Sequence, residues 1–312
     1  MRAVLARTAG FCYGVRRAVA MCEQAAGGGA FMLGPVIHNS AVVGYLCGLG
    51  MGVVEDAHAV PAGARVVIRS HGAGKSEYSL LRERGAEIID ATCPYVARIH
   101  GIVRDESAAG RTLVIIGKRD HPEVSAIADW CERRVIVQSP GELSSWLAEK
   151  TENRRAAISA VFQTTSSRET FARCEQILKK ECTNYKIFDT ICIATHERQR
   201  EASELAEKTD AMIVIGSRDS ANSCGLAEIC AARCARVTFI ETADELDASA
   251  FVGCGTVGIT AGASTPACNI KEVIQKMSED TRLDGIPETP EVPHNERDAG
   301  IPGGDGAAGA ET

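Results

Sequence analysis

The sequence predicts an α/β protein: three similar small α/β lobes in a pseudo-threefold arrangement. Three features of the chain point there. A cysteine followed by a helix-like stretch occurs three times, around Cys12, Cys93 and Cys192. Behind each cysteine come two apolar, strand-like runs, and each run ends in a polar loop. The spacing of those loops recurs from copy to copy, the mark of an internal repeat.

In the first unit, TAGFCYGVRRAVAMC supplies the cysteine and its helix, FMLGPVIHNS the first run and loop, and RVVIRSHGAG the second. The second unit runs DATCPYVARIHGIV, LVIIGKRDHPEV and AISAVFQTTSS. The third runs DTICIATHERQREASEL, MIVIGSRDSANS and TVGITAGAST. The first loops bring His38, His121 and Ser220 to 26, 28 and 28 residues after the cysteine. The second loops bring His71, Thr164 and Ser264 to 59, 71 and 72 residues after it. Strand runs alternating with helical patterns predict parallel sheets, whose binding loops lie at the carboxyl ends of the strands. Asp90 with Thr92, and Asp189 with Thr190, are expected to cap the helices that follow. The implied divisions are 1–92, 93–188 and 189–280 for the three lobes, with 281–312 as an acidic Gly/Pro-rich tail expected to be disordered.

Charge and composition exclude several functions. The 312 residues carry a net charge of −7, and aromatic residues are 4%. That argues against nucleic acid as a partner, by charge and by lack of stacking surface. Residues 279–312 hold nine acidic and two basic residues, leaving 32 of each in the body. No apolar run approaches a membrane span, and the opening residues lack the apolar core of a signal peptide. A cytoplasmic protein with no membrane partner is expected, its thiols reduced.

Thirteen cysteines then require a purpose other than disulfides. No CxxC pair occurs, which weighs against structural zinc. One cysteine per lobe, converging near the axis, suits a 4Fe-4S cluster with one iron lacking a protein thiolate. Cys230 and Cys234, four residues apart with Cys224 upstream, have no partners to complete a zinc site and are assigned to packing. The remaining cysteines show no metal spacing.

The loops are rich in anion donors. His38 and His71 can donate from their imidazoles, and Gly72 and Gly74 allow close backbone approach. Ser220 and Asn222 precede a helix, a site that favours anions, and Ser264 lies in a second strand-to-helix turn. Together they point to a diphosphate or polycarboxylate. Glu123, in His121-Pro122-Glu123, is the one focal carboxylate and a candidate general acid. Gln163, Thr164 and Thr165 could orient a hydroxyl, extend a proton relay, or cap a helix starting near Ser166 or Ser167. His58, His100, His196 and His294 hold no repeated position and are assigned no role. Nucleotide and nucleophile-elbow motifs are missing, so reducing power would have to come from an external carrier.

Nine segments, in order, also match a known family: GFCYGVRRA, VIHN, SHG, DATCP, GKRDHPEV, QTT, DTICIAT with ERQ, GSRDSANS and TAGAST. The chain resembles the 4-hydroxy-3-methylbut-2-enyl diphosphate reductase family over about residues 10 to 275. The resemblance implies three lobes around one 4Fe-4S cluster held by Cys12, Cys93 and Cys192. It implies diphosphate binding by His38, His71, Ser220, Asn222 and Ser264, with His121 in the pocket, Thr164 at the substrate hydroxyl and Glu123 as proton donor. The implied reaction is reductive dehydroxylation to isopentenyl and dimethylallyl diphosphate, fed by a one-electron donor such as ferredoxin or flavodoxin. Ala221, Ile193 and the pair Ala267–Cys268 depart from residues common in relatives; none is a proposed ligand or the acid. The alternatives are a quinolinate-synthase-like cluster dehydratase, a non-catalytic cluster redox sensor and a zinc hydrolase.

Overall fold

The computed structural model describes residues 1–280; the acidic tail lies outside the described residues. The chain begins with β1 (Arg2–Leu5), α1 (Tyr13–Ala25), β2 (Phe31–Leu33), α2 (Ser40–Gly48), β3 (Gly52–Val54), β4 (Arg65–Ile68), α3 (Lys75–Glu83) and β5 (Glu87–Asp90). It continues through α4 (Pro94–Ala108), β6 (Thr112–Ile116), α5 (Pro122–Asp129), β7 (Arg134–Val137), α6 (Pro140–Glu149), α7 (Thr151–Arg155), β8 (Ile158–Phe162), α8 (Arg168–Glu181) and β9 (Tyr185–Ile187). Then follow α9 (Ile193–Ala206), β10 (Ala211–Ile215), α10 (Ala221–Ala231), β11 (Val237–Ile240), β12 (Thr256–Ala261) and α11 (Ala267–Asp280).

These strands form three parallel four-stranded sheets, ordered β3-β2-β4-β5, β7-β6-β8-β9 and β11-β10-β12-β1. The same order recurs in each, as the sequence repeat predicts. The inner strands LVII of β6, ISAVF of β8 and AMIVI of β10 are buried throughout. Continuous apolar runs of this kind belong to sheets covered on both faces.

The fourth position in each sheet is taken by β5, β9 or β1, the strand that leads into the cysteine. This corrects the expected boundary of the first lobe. Arg2–Leu5 pair with Thr256–Ile259 in the third sheet, not with the lobe formed by residues up to 92. The repeat runs around a ring, and the first strand fills the place that β5 and β9 fill in the other two sheets.

The expected helix caps are corrected too. The N-cap residues of α1, α4 and α9 are Cys12, Cys93 and Cys192 themselves, with no side-chain cap bond. Asp90 accepts from Thr92 N at 2.9 Å and from the Tyr78 hydroxyl at 2.8 Å. Thr190 Oγ1 accepts from Phe162 N and donates to Phe162 O, at 2.8 and 2.6 Å. Asp90 thus fastens its loop to α3 and Thr190 fastens its loop to β8, leaving both helix ends open. Ser167 does cap its helix, accepting from Thr170 N.

Ten cysteines lie away from this centre. Cys230 and Cys234 pack with Ala202, Leu226 and Val214 in one apolar cluster, as a packing role requires. Cys22, Cys131, Cys174, Cys182 and Cys254 are buried in other clusters.

Gly258 in β12 marks a close approach: a Cβ there would lie 2.4 Å from Met212 Sδ and 2.9 Å from Leu205 Cγ. Overpacking of this kind costs about 1–3 kcal/mol. Gly258→Ala should therefore lower the unfolding free energy by that amount, read in equilibrium urea unfolding as a lower midpoint at unchanged m-value.

Candidate functional site

The carboxyl ends of the three sheets face one cavity of about 100 Å³, open to solvent. Cys12, Cys93 and Cys192 all line it, together with His38, His71, His121, Glu123, Thr164, Ser220, Asn222 and Ser264. These eleven residues are thus at one place, whereas Gln163, Gly72 and Gly74 do not line the cavity. Val15, Val96 and Thr195 also line it, each three residues after a cysteine. The repeat contained that signal, one helical turn into each helix.

A single backbone bond sets each cysteine. Cys93 N donates to Ser70 O at 3.0 Å, Cys192 N to Thr164 O at 3.0 Å, and Cys12 N to Ala263 O at 3.3 Å. In all three the acceptor is the second loop of the preceding sheet, at or beside His71, Thr164 or Ser264. The packing is tight: a Cβ on Gly14 would lie 2.7 Å from Cys93 Sγ.

Burial raises the thiols most, with a contribution from the charge of neighbouring Cys12, taking Cys93 to about 12 and Cys192 to about 11. Deprotonation therefore needs a cation in their place, and metal binding supplies one. Three soft sulfur donors at helix N-termini, from three lobes, fit an iron–sulfur cluster by the chemistry of the donor set.

Beside the thiols stands a cluster of imidazoles. The His38, His71 and His121 ring centroids lie 4.4 to 5.3 Å apart. One ligand atom from each falls within 4.8 Å of the others, close enough to hold a metal ion. Burial is the main cause that lowers all three pKa values, His121 to about 3, so the rings are neutral in the free cavity.

The tautomer of His121 decides what the ring can do. Its Nδ1 accepts from Glu123 N at 3.1 Å, so the proton of the neutral ring is on Nε2. A ring holding a metal through Nε2 normally donates from Nδ1. His121 is arranged the other way, as an N–H donor toward the cavity.

Several further polar atoms at the cavity are buried without a protein partner: His38 Nε2, His71 Nδ1, both amide atoms of Asn222, and Ser264 Oγ. Native structures rarely leave such atoms unsatisfied, and a group of them facing one cavity marks a polar ligand site. Ser220 caps α10, accepting from Ser223 N at 3.3 Å, which turns the positive end of that helix to the cavity.

Glu123 is 2% exposed. Thr164 N donates to its Oε1 at 2.6 Å and Thr164 Oγ1 to its Oε2 at 2.7 Å. Both bonds favour the carboxylate, yet burial outweighs them and the pKa is raised. Gln163 Oε1 accepts from Lys118 N at 3.0 Å and so ties the loop before His121 to the loop holding Thr164.

The support beneath His71 escaped sequence reasoning. Trp130 Nε1 donates to Ala73 O at 3.1 Å, and Asp129 Oδ2 accepts from Ser76 N and Oγ at 2.7 Å. His100 stacks on Trp130 with centroids 5.6 Å apart, against Gly72, whose φ of +77° favours glycine. The second lobe thus carries the histidine loop of the first. No periodic signal could have revealed it, because His100 and Trp130 follow no repeat.

Three parallel α/β lobes around one central cavity, lined by three thiols, three imidazoles and unpartnered polar atoms, define a three-lobed α/β protein with a candidate metal and polar-ligand site. The LytB protein family model matches residues 3–278, and the chain belongs to that family. A 4-hydroxy-3-methylbut-2-enyl diphosphate reductase of Geobacter sulfurreducens is 44% identical over 285 residues, 89% of this chain and 98% of the relative. One from Caldanaerobacter subterraneus is 37% identical, over 89% of this chain and 96% of its own. Two solved reductases share the architecture. One, the terminal enzyme of the non-mevalonate pathway, has a TM-score of 0.65 at 34% identity, covering 89% of this chain and 100% of its own. The Plasmodium falciparum structure superposes with a TM-score of 0.83 at 23% identity, over 92% and 94% of the two chains, which is a likeness of fold. Among the described residues no helix is long and apolar enough to cross a membrane.

Trp130→Phe removes one donor to the His71 loop while keeping an aromatic ring, a loss of about 1 kcal/mol. Amide hydrogen exchange over residues 70–76 should quicken while that over α9 stays unchanged, as read by mass spectrometry.

Proposed function

We propose that this protein carries out the reductive dehydroxylation of 4-hydroxy-3-methylbut-2-enyl diphosphate to isopentenyl and dimethylallyl diphosphate, the last step of the methylerythritol phosphate route. The observation that carries the reading is the pairing, in one cavity, of three converging cysteines with a group of unsatisfied anion donors. Cys12, Cys93 and Cys192 would hold a 4Fe-4S cluster. When bound, that cluster supplies electrons one at a time beside an iron free of protein thiolate. Its electrons come from an external carrier such as ferredoxin or flavodoxin, in keeping with a cytoplasmic location.

His38, His71, Ser220, Asn222 and Ser264 take the diphosphate, and the Nε2–H of His121 donates toward it. An anion among the imidazoles reverses the effect of burial and favours their protonation. The clamp fixes the allylic chain in one direction and so lowers the entropy cost of reaction. At the other end Thr164 meets the substrate hydroxyl. Glu123, kept protonated by burial, passes a proton through the Thr164 hydroxyl to the departing oxygen. The substrate gains two electrons and two protons and releases water, so the atoms balance.

A second reading is favoured by one observation, the closeness of His38, His71 and His121: a single metal ion held by imidazoles. The tautomer of His121 weighs against it. Anaerobic purification separates the two readings. About four irons with acid-labile sulfide per chain, kept in His38→Ala, supports the cluster; one metal ion per chain, lost in His38→Ala, supports the imidazole site.

Cys12→Ser, Cys93→Ser and Cys192→Ser should each lose the bound iron, measured by iron and sulfide content, while Cys234→Ser keeps it. Glu123→Gln should retain the iron and lose at least about 10²-fold in kcat, the usual scale for a general acid. The check is a reductant-driven assay with the allylic diphosphate; near-native turnover would remove Glu123 from the proton path.

A further inference from the structure

Arg198 is the one arginine among the described residues buried this deeply, at 4% exposure, and it sits on the face of α9 turned to the centre. It does not answer a carboxylate at close range. Its Nη2 donates to Thr8 O at 2.6 Å and to Gly10 O at 2.8 Å, and its Nε donates to Thr8 O at 3.0 Å. Nη1 is buried with no partner. Three residues on, Glu201 accepts from Arg7 N, Thr8 N and Thr8 Oγ1 at 2.9, 2.8 and 2.6 Å. One helix therefore grips both polarities of the loop at residues 7–10, which ends at Cys12. That same helix begins at Cys192.

A guanidinium stays charged in such a place, and carbonyl oxygens satisfy its hydrogens without cancelling its charge. Burial disfavours its charge most, Cys12, Cys192 and Glu201 favour it, and Arg16 opposes it. A free thiol needs no cation beside it, whereas thiolates holding iron do. Burial of an uncancelled charge is costly unless an opposite charge is present, and a cluster carrying three thiolates is net negative.

Arg17 offers a comparison. It also follows a cysteine on its helix, and it also holds the loop before the next cysteine, donating to Thr92 O at 3.1 Å and Asp90 O at 3.2 Å. Its guanidinium, unlike that of Arg198, reaches solvent, where its field is screened.

We infer that Arg198 is a positioning residue for the three-cysteine centre, locking the Cys12 loop to the Cys192 helix and supplying the buried positive charge that raises the reduction potential of a cluster held there. The inference rests on the cluster assignment. A colourless protein without acid-labile sulfide would reject that assignment; a clustered protein with unmoved potential would reject only the role of Arg198.

The test is an EPR-monitored redox titration of anaerobically reconstituted protein, comparing the native chain with Arg198→Gln, Arg198→Lys and Arg17→Gln. The expected result is a more negative midpoint in Arg198→Gln, with Arg198→Lys and Arg17→Gln close to native. Cluster loss in Arg198→Gln alone, with Arg198→Lys still loaded, supports the same role, because charge is what separates the two. Three results overturn it: an unchanged midpoint in Arg198→Gln, an equal change or equal cluster loss in Arg198→Lys, or an equal shift in Arg17→Gln.

Discussion

Three backbone hydrogen bonds, from Cys93 N to Ser70 O, Cys192 N to Thr164 O and Cys12 N to Ala263 O, hold the centre together. Each joins a cysteine to the sheet before it in the ring. Without them three helices from three lobes would have no reason to start at one point. With them, each helix N-terminus, each thiol and each polar loop is placed by the same geometry, three times. A helix end leaves backbone N–H groups unsatisfied, and here three such ends face one cavity. The anion cradle and the thiol centre are thus two results of one arrangement.

The site divides its labour by element. The thiols come from helix starts, whereas the polar groups come from loops at the ends of buried strands. Glu123 illustrates the balance: two donors from Thr164 hold its orientation, and burial keeps its proton. Burial keeps the neighbouring imidazoles neutral, and a bound anion would favour their protonation. The global field, with the acidic residues gathered at 279–312, contributes little to capture.

Much of this was legible in the chain. The repeated spacing behind Cys12, Cys93 and Cys192 foretold three like sheets and loops that meet at one cavity, because a structural repeat constrains the sequence over many positions. What escaped had no periodic trace. Strand β1 was assigned to the wrong lobe, since the sequence before Cys12 lacks the Asp-Thr pairing that precedes the other two cysteines. Asp90 and Thr190 resembled helix caps because capping and loop-fastening use the same short polar side chains. His100, Trp130 and Arg198 act across lobes, and only packing reveals a charge or a ring that is buried.

The pairing of β1 with β12 has a consequence for the making of the protein. Arg2 lies beside Thr256, its register partner 254 residues further along the chain. At roughly 5–20 residues per second, the first strand waits about 10–50 seconds for its neighbour to be synthesised. The first sheet can close long before the third, so Cys93 reaches its place while Cys12 still hangs on an unpaired strand. The three thiols are thereby first brought together only after residues 256–261 have emerged from the ribosome, so a metal centre of the proposed kind would be loaded late. The topology imposes an order on assembly that no single residue encodes.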